Sequence, residues 1–153
     1  SKGSMIDMNA ASKFAQQLKE AYDIIVPTVN TPVRLLSGGN LQRVILAREI
    51  SGHPNFMVAV QPTRGLDVGA IEGVHRLLLT QREADAAVLL ISEELEELLA
   101  LSDRVYVIYE GKIMGEVKVA TGEPDERLIE AIGLMMTGSP LEHIQSEGVE
   151  KHG

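Results

Sequence analysis

Leu36-Ser37-Gly38-Gly39-Asn40-Leu41-Gln42-Arg43-Val44 is the stretch on which the reading of this chain turns. A serine and two glycines stand directly before a run of helical character, Asn40 to Ile50, which Ser51-Gly52-His53-Pro54 closes with helix breakers. The first backbone N–H groups of a helix have no intrahelical acceptor and form the positive end of the macrodipole, so such a start can take an anion. Glycine adds close approach, because no Cβ stands between backbone and ligand. The same residues also make an ordinary helix start with no ligand, since serine is a favoured N-cap. Physical chemistry alone leaves both readings open.

Upstream, Ala10 to Tyr22 is expected to be a helix with Phe14, Leu18 and Tyr22 on one inward face, and residues 26–35, with Pro27 and Pro32, a connecting loop. Downstream, Phe56 to Val60 is a short continuous apolar run between breakers, the pattern of a strand buried on both faces. Asp67 to about Arg82 follows as a helix with Ile71, Val74, Leu77 and Leu78 inward, and Ala87 to Ile91 as a second buried strand. Glu93 to Leu101 reads as a short acidic helix. Arg104 to Tyr109 and Ile113 to Val119 read as strands joined through Gly111 in a tight turn. A last helix runs from Pro124 to about Met136. Strands alternating with helices predict an α/β fold, a mostly parallel sheet with a C-terminal antiparallel hairpin and helices on both sides. Residues 1–9 read as a native tail or as residues added for expression. Residues 10–50 read as a helical part, 51–137 as an α/β core and 138–153 as a flexible tail.

Composition narrows the chemistry. Hydrophobic residues make up 44% of the 153, enough for a core, while aromatics are 3%, too few for stacking platforms on single-stranded nucleic acid. The formal net charge of -8 is repelled by phosphate backbones and anionic lipid, so no nucleic-acid partner is expected. Cysteine is absent, which excludes disulfides, thiolate zinc sites and a thiol nucleophile. His53, His75, His143 and His152 share no ligand spacing, so no metal site is expected from them. Glu93, Glu94, Glu96 and Glu97 read as a solvated helix face rather than a cation site. No apolar run reaches the ~18 residues of a membrane-spanning helix.

Taken in order, the runs of residues resemble one known family. Leu36 to Val44 with Ala47-Arg48 is similar to the signature motif of ATP-binding cassette (ABC) nucleotide-binding domains and its following helix. Phe56 to Val60 followed by Gln61-Pro62-Thr63-Arg64-Gly65-Leu66-Asp67 resembles that family's Walker B strand and D-loop. Ile91-Ser92-Glu93-Glu94 falls where its switch segment lies. Leu101 to Val105 and Tyr109 to Ile113 resemble its closing strands. Asn40 in the signature, with Gln61-Pro62-Thr63-Arg64-Gly65-Leu66-Asp67-Val68-Gly69-Ala70, is similar to the simple-sugar or nucleoside importer ATPases, and to the second of their two nucleotide-binding domains.

The departures from the family pattern are as informative as the matches. The Walker B Asp, which holds magnesium, is Val60 here, and the Glu that polarises the attacking water is Gln61. Valine offers magnesium no oxygen, and an amide is no general base. The switch His position holds Glu93, an anion set against an anion. No Gly-x-x-x-x-Gly-Lys-Ser/Thr occurs in the chain, and the chain is therefore expected to be a fragment of the domain that carries one.

In the family, each nucleotide lies between two head-to-tail domains, one giving the phosphate loop and the other the signature. The resemblance thus implies that Ser37, Gly38, Gly39, Asn40 and Gln42 serve a nucleotide held by the partner domain. It also implies that Gly65, Leu66 and Asp67 lie at the interface, and that no catalytic residue is intact on this chain. Asp67 also reads as a plain N-cap, and both roles can hold. The implied cofactors are ATP and Mg in the full-length protein, with none tightly bound here. The implied partners are a second cassette domain in the same polypeptide, membrane permease subunits and, indirectly, a solute-binding protein. The implied location is the cytoplasmic face of the plasma membrane. The alternative is a non-catalytic scaffold domain that docks the membrane subunit and keeps an idle signature. A soluble ABC protein acting on ribosomes or DNA fits the acidic charge poorly.

Two outcomes are expected of the chain on its own. Titration calorimetry with Mg-ATP shows no micromolar binding, and a micromolar dissociation constant contradicts this reading. Unpaired strand edges drive self-association, so sedimentation gives a mass that rises with concentration; a strictly monomeric mass at high concentration contradicts it.

Overall fold

The computed structural model describes residues 7–119 and 126–142. They fall into two compact units that divide between Glu93 and Glu94, and the architecture of each follows from its own helix caps, strand pairs and core.

The first unit opens with α1, Met8–Ala21. It starts earlier than apolar periodicity predicts because Asp7 caps it, its carboxylate accepting from the backbone N–H of Asn9 and Ala10. Leu18 and Tyr22 are half-buried, but Phe14, expected inward, is 50% exposed. Asp23, at φ 52, turns the chain out of the helix, and Ile24 is buried beyond it. A 3-10 turn, Val33–Leu35, leads to α2, Gly38–Ile50, which buries Leu46, Ala47 and Ile50. The strand β1, Phe56–Val60, runs parallel to β2, Ala87–Ile91, in the register Phe56↔Ala87 to Val60↔Ile91. The connecting α3, Val68–Glu83, buries Val74 and Leu78 and packs on α2 and β2.

Contrary to the expectation from their composition, the two strands are not buried on both faces. Met57 and Ala59 of β1 point into the core, while Phe56, Val58 and Val60 alternate outward, with Phe56 59% exposed. Leu89 and Ile91 of β2 are exposed on their own strand. The composition of these strands suits two covered faces, but within this unit only one is covered.

The second unit begins with α4, Leu95–Leu101, and continues with β3, Arg104–Tyr109, and β4, Lys112–Lys118, an antiparallel hairpin. Glu110 and Gly111 form its two-residue turn, both with left-handed φ (47 and 76), as the twist of a tight hairpin requires. Helix α5, Glu126–Met136, places Ile132 and Met135 against Val105, Val107 and Val117. Gly115 is the contact point, where a Cβ would lie 2.6 Å from the Met135 sulfur. Pro124, the expected first residue of this helix, and the tail beyond residue 142 lie outside the described residues.

The acidic cluster also needs correcting at one position. Glu97 is only 4% exposed rather than on a solvated face. The α4 residues that pack on the core are Leu95, Leu98 and Leu99, and Glu97 lies on the other side of the helix from them. The parallel pair and the hairpin are thus the expected sheet elements, arranged as two two-stranded sheets. No helix among the described residues is long and apolar enough to cross a membrane.

Candidate functional site

The signature stretch lies in the first unit, where it is built as a cap. Ser37 has extended backbone (φ -64, ψ 159), and its carbonyl accepts the first intrahelical bond, from Leu41 N at 2.9 Å. Its Oγ accepts twice from one residue, from Asn40 N at 3.4 Å and from Asn40 Nδ2 at 3.1 Å. Asn40 in turn accepts from the backbone N–H of Ile25 through Oδ1 at 2.8 Å. Ser37 and Gly38 are exposed, and Gly39, Asn40 and Gln42 are half-buried.

The two glycines face the residues that follow β1. A Cβ on Gly38 would lie 3.3 Å from the Leu66 side chain, and one on Gly39 would lie 2.7 Å from the Ala70 Cβ. One turn further along α2, Arg43 lies over Gly73, where a Cβ would come within 2.7 Å of the guanidinium. Arg43 donates from Nη1 to the Asp23 carbonyl at 2.7 Å, so one side chain ties the end of α1 to α2 and α3. Gly39 and Arg43 on one helix, with Ala70 and Gly73 on the other, form a seam of small residues and one long polar one.

The segment between β1 and α3 is turned by local hydrogen bonds. Arg64 N donates to the Gln61 carbonyl at 3.2 Å and Leu66 N to the Thr63 carbonyl at 3.1 Å, with Gly65 at φ 73 between them. Asp67 caps α3, its carboxylate accepting from Ala70 N at 2.9 Å. The capping reading of Asp67 is therefore realised, and the residue stays exposed for any further contact.

At the end of the parallel pair, Val60 stands opposite Ile91, and Gln61 N donates to the Ile91 carbonyl at 2.8 Å. Gln61 adopts φ 48, a left-handed conformation uncommon for a residue with a Cβ. Glu93, two residues beyond Ile91, is exposed. The strand pairing therefore brings the Val60-Gln61 step beside the segment that leads to Glu93. These residues do not fit a magnesium ion. The two strand ends present the aliphatic side chains of Val60 and Ile91, and magnesium requires near-octahedral oxygen. No group of three or more acidic or histidine side chains able to hold a metal occurs among the described residues.

Sequence reasoning placed Ser37, Gly38, Gly39, Leu66 and Asp67, and the fold brings them together. It missed Arg43 as a clamp and Ala70 and Gly73 as the small residues opposite α2. Their i, i+3 spacing was the available signal. It also missed the bond from Ile25 to Asn40, which no periodicity encodes.

With this geometry in place, comparison with known proteins is direct. No protein-family model matches the chain. The guanosine import ATP-binding protein of Bacillus subtilis (strain 168) is 50% identical over 127 residues, 83% of this chain and 24% of that protein. The glucose import ATP-binding protein of Haloferax volcanii is 44% identical over 138 residues, 89% of this chain and 24% of that protein. The nucleoside import ATP-binding protein of Lactococcus lactis is 41% identical over 141 residues, 92% and 27% respectively. The chain thus spans about a quarter of the length of the curated relatives it matches. Among solved structures, a nucleotide-free ATP-binding cassette from an ABC transporter superposes with a TM-score of 0.67 at 21% identity, over 87% of this chain and 50% of that one. A dimeric ATP-binding cassette bound to ADP and Pi gives 0.63 at 24% identity, over 80% and 52%. These structures share the fold: part of the ABC-type P-loop NTPase architecture.

The seam makes a stability prediction. Replacing a helical glycine by alanine ordinarily gains up to about 1 kcal/mol. At Gly39 the new methyl meets Ala70 at a distance no Cβ pair adopts, and overpacking of that kind costs about 1–3 kcal/mol. Gly39→Ala should therefore lower the melting temperature, and an unchanged or raised one contradicts the close approach.

Proposed function

From the premise that the chain is homologous to a segment of the ATP-binding subunits of nucleoside and simple-sugar ABC importers, we propose that it supplies the signature side of an ATP site whose phosphate-holding side belongs to a partner cassette. The observation that carries this reading is a contrast within one unit. The helix start at Ser37 is fully built, with a capped terminus and Gly39 pressed against the next helix, while the strand end at Val60 and Gln61 offers no carboxylate to a metal and no base to a nucleophilic water.

In this role the backbone N–H groups of Gly38 and Gly39, with the Ser37 hydroxyl, face the terminal phosphate of ATP. Donors held at a helix start need no reorganisation as charge builds on the phosphoryl oxygens, and a closed interface excludes water that would weaken them. Gly65, Leu66 and Asp67 lie beside this helix start and are proposed to meet the opposing cassette with it. Gln61 can hydrogen-bond a water but not deprotonate it, so this half contributes no base of its own. Coupling to permease subunits, delivery by a solute-binding protein, a place on the cytoplasmic membrane face and transport of a simple sugar or nucleoside are parts of the same proposal. They rest on the printed activities of the relatives. Self-association of the isolated chain is supported by the bare apolar face of Phe56, Val58, Val60, Leu89 and Ile91.

One observation favours a second reading, a scaffold domain with an idle signature. The contact between Gly39 and Ala70 accounts for that glycine without any ligand. The Ser37 and Gly38 positions separate the two readings, because both are exposed and a side chain at Gly38 meets only the movable tip of Leu66. In the full-length importer, Ser37→Arg or Gly38→Asp should lower ATP turnover and uptake by about 100-fold or more, the first by removing one preorganised donor and the second by setting a carboxylate against the phosphate. Turnover that survives either change rules out the signature role and leaves the scaffold.

A further inference from the structure

We infer that Asn40 is a positioning residue: it locks the Ser37 hydroxyl as a hydrogen-bond donor, ready for a phosphoryl oxygen. The inference rests on the proposed reading of Ser37 and extends it to a residue that does not itself need to touch the nucleotide.

A serine hydroxyl has one O–H to donate and two lone pairs to accept with. Both acceptances at Ser37 are taken by Asn40, one by its backbone N–H and one by its side-chain amide. The capacity left is the donor, and the geometry directs it away from Asn40. A hydroxyl in this state suits an anion's oxygen and is poorly matched to a donor such as an ammonium group.

The amide can play this part only if its own orientation is fixed, since an asparagine side chain turned over would present an oxygen to Ser37 and take its proton. Ile25 prevents this. Its backbone N–H donates to the Asn40 oxygen at 2.8 Å, so that oxygen faces Ile25 and the NH2 faces Ser37. The Ile25 backbone is itself held in place, because Ile24 N donates to the Lys19 carbonyl at 3.0 Å and Arg43 grips the Asp23 carbonyl at 2.7 Å. The Ile25 side chain is 72% exposed, so its contribution here is its N–H rather than its packing. The end of α1 thereby sets the polarity of a hydroxyl at the start of α2. The fifth residue of the signature stretch thus acts through the second.

A double-mutant cycle in the full-length importer tests this, reading kcat and KM for ATP for Ser37→Ala, Asn40→Leu and the pair. Ser37→Ala should lower kcat by about 100-fold, the loss that follows removal of one preorganised donor. Asn40→Leu should give a similar loss in kcat with KM little changed, and no further loss in the Ser37→Ala background. Losses that multiply in the pair overturn the inference, as does an Asn40→Leu protein with normal kcat while Ser37→Ala is impaired. If Ser37→Ala itself turns over normally, the reading of Ser37 has failed and the inference falls with it. Should Asn40→Leu not fold, Asn40→Asp keeps the acceptor for Ile25 and removes the donor to Ser37. Its added charge acts in both backgrounds, so the excess loss over that in Ser37→Ala is again the coupling, and no excess overturns the proposal.

Discussion

The closeness of two helices at Gly39 and Ala70 is the constraint on which the first unit depends. A methyl group at residue 39 would lie 2.7 Å from the one at residue 70, so the backbones meet there with only one side chain between them. This contact presses the start of α2 against the start of α3. The turn that precedes α3 is carried along, with Leu66 beside Gly38. Arg43 then extends the seam over Gly73 and anchors it to the end of α1 through the Asp23 carbonyl. Glycine in the signature therefore has two physical uses, and they differ by position. At Gly39 it permits helix packing, and at exposed Gly38 it leaves the backbone open to approach.

Competence in this unit is uneven, and the unevenness has a direction. The helix start has its cap and its polarised termini. The end of β1 has Val60 and Gln61 where oxygen ligands and a base would be needed, and an exposed Glu93 follows β2 where a phosphate would meet repulsion. A domain built to hydrolyse alone would keep both ends. A domain that serves half of a shared site needs only the first. The relatives' length, about four times the matched segment, leaves room for the remaining parts in one polypeptide.

Much of this was legible in the sequence because it is local. Strand limits at Phe56–Val60, Ala87–Ile91 and Arg104–Tyr109 follow from apolar runs between breakers, and Ser37 and Asp67 cap their helices as their residue types dictate. What was not legible is non-local. Apolar strand composition records what a fold covers in total, so Phe56 and Val58 read as buried although one face of their sheet is bare within this unit. Phe14 fits a helical stripe yet lies half exposed, because periodicity names a face without naming what packs on it. Glu97 reads as solvated from its acidic neighbours, yet it is buried, and nothing in the local sequence encodes that. The link from Ile25 to Asn40 joins residues fifteen apart through a backbone N–H, which carries no residue-type signature at all.

The central claim is that Ser37 faces a nucleotide held by another cassette. The chain has no cysteine, so Ser37→Cys places one thiol in this segment, and an ATP analogue with a thiol-reactive group on its terminal phosphate reports directly what lies beside it. In the full-length protein the account predicts that the analogue labels residue 37, identified by peptide mass. It also predicts that labelling disappears when the phosphate loop of the opposing cassette is disabled. Bound analogue that leaves residue 37 unlabelled, or labelling that persists without the opposing phosphate loop, would contradict it.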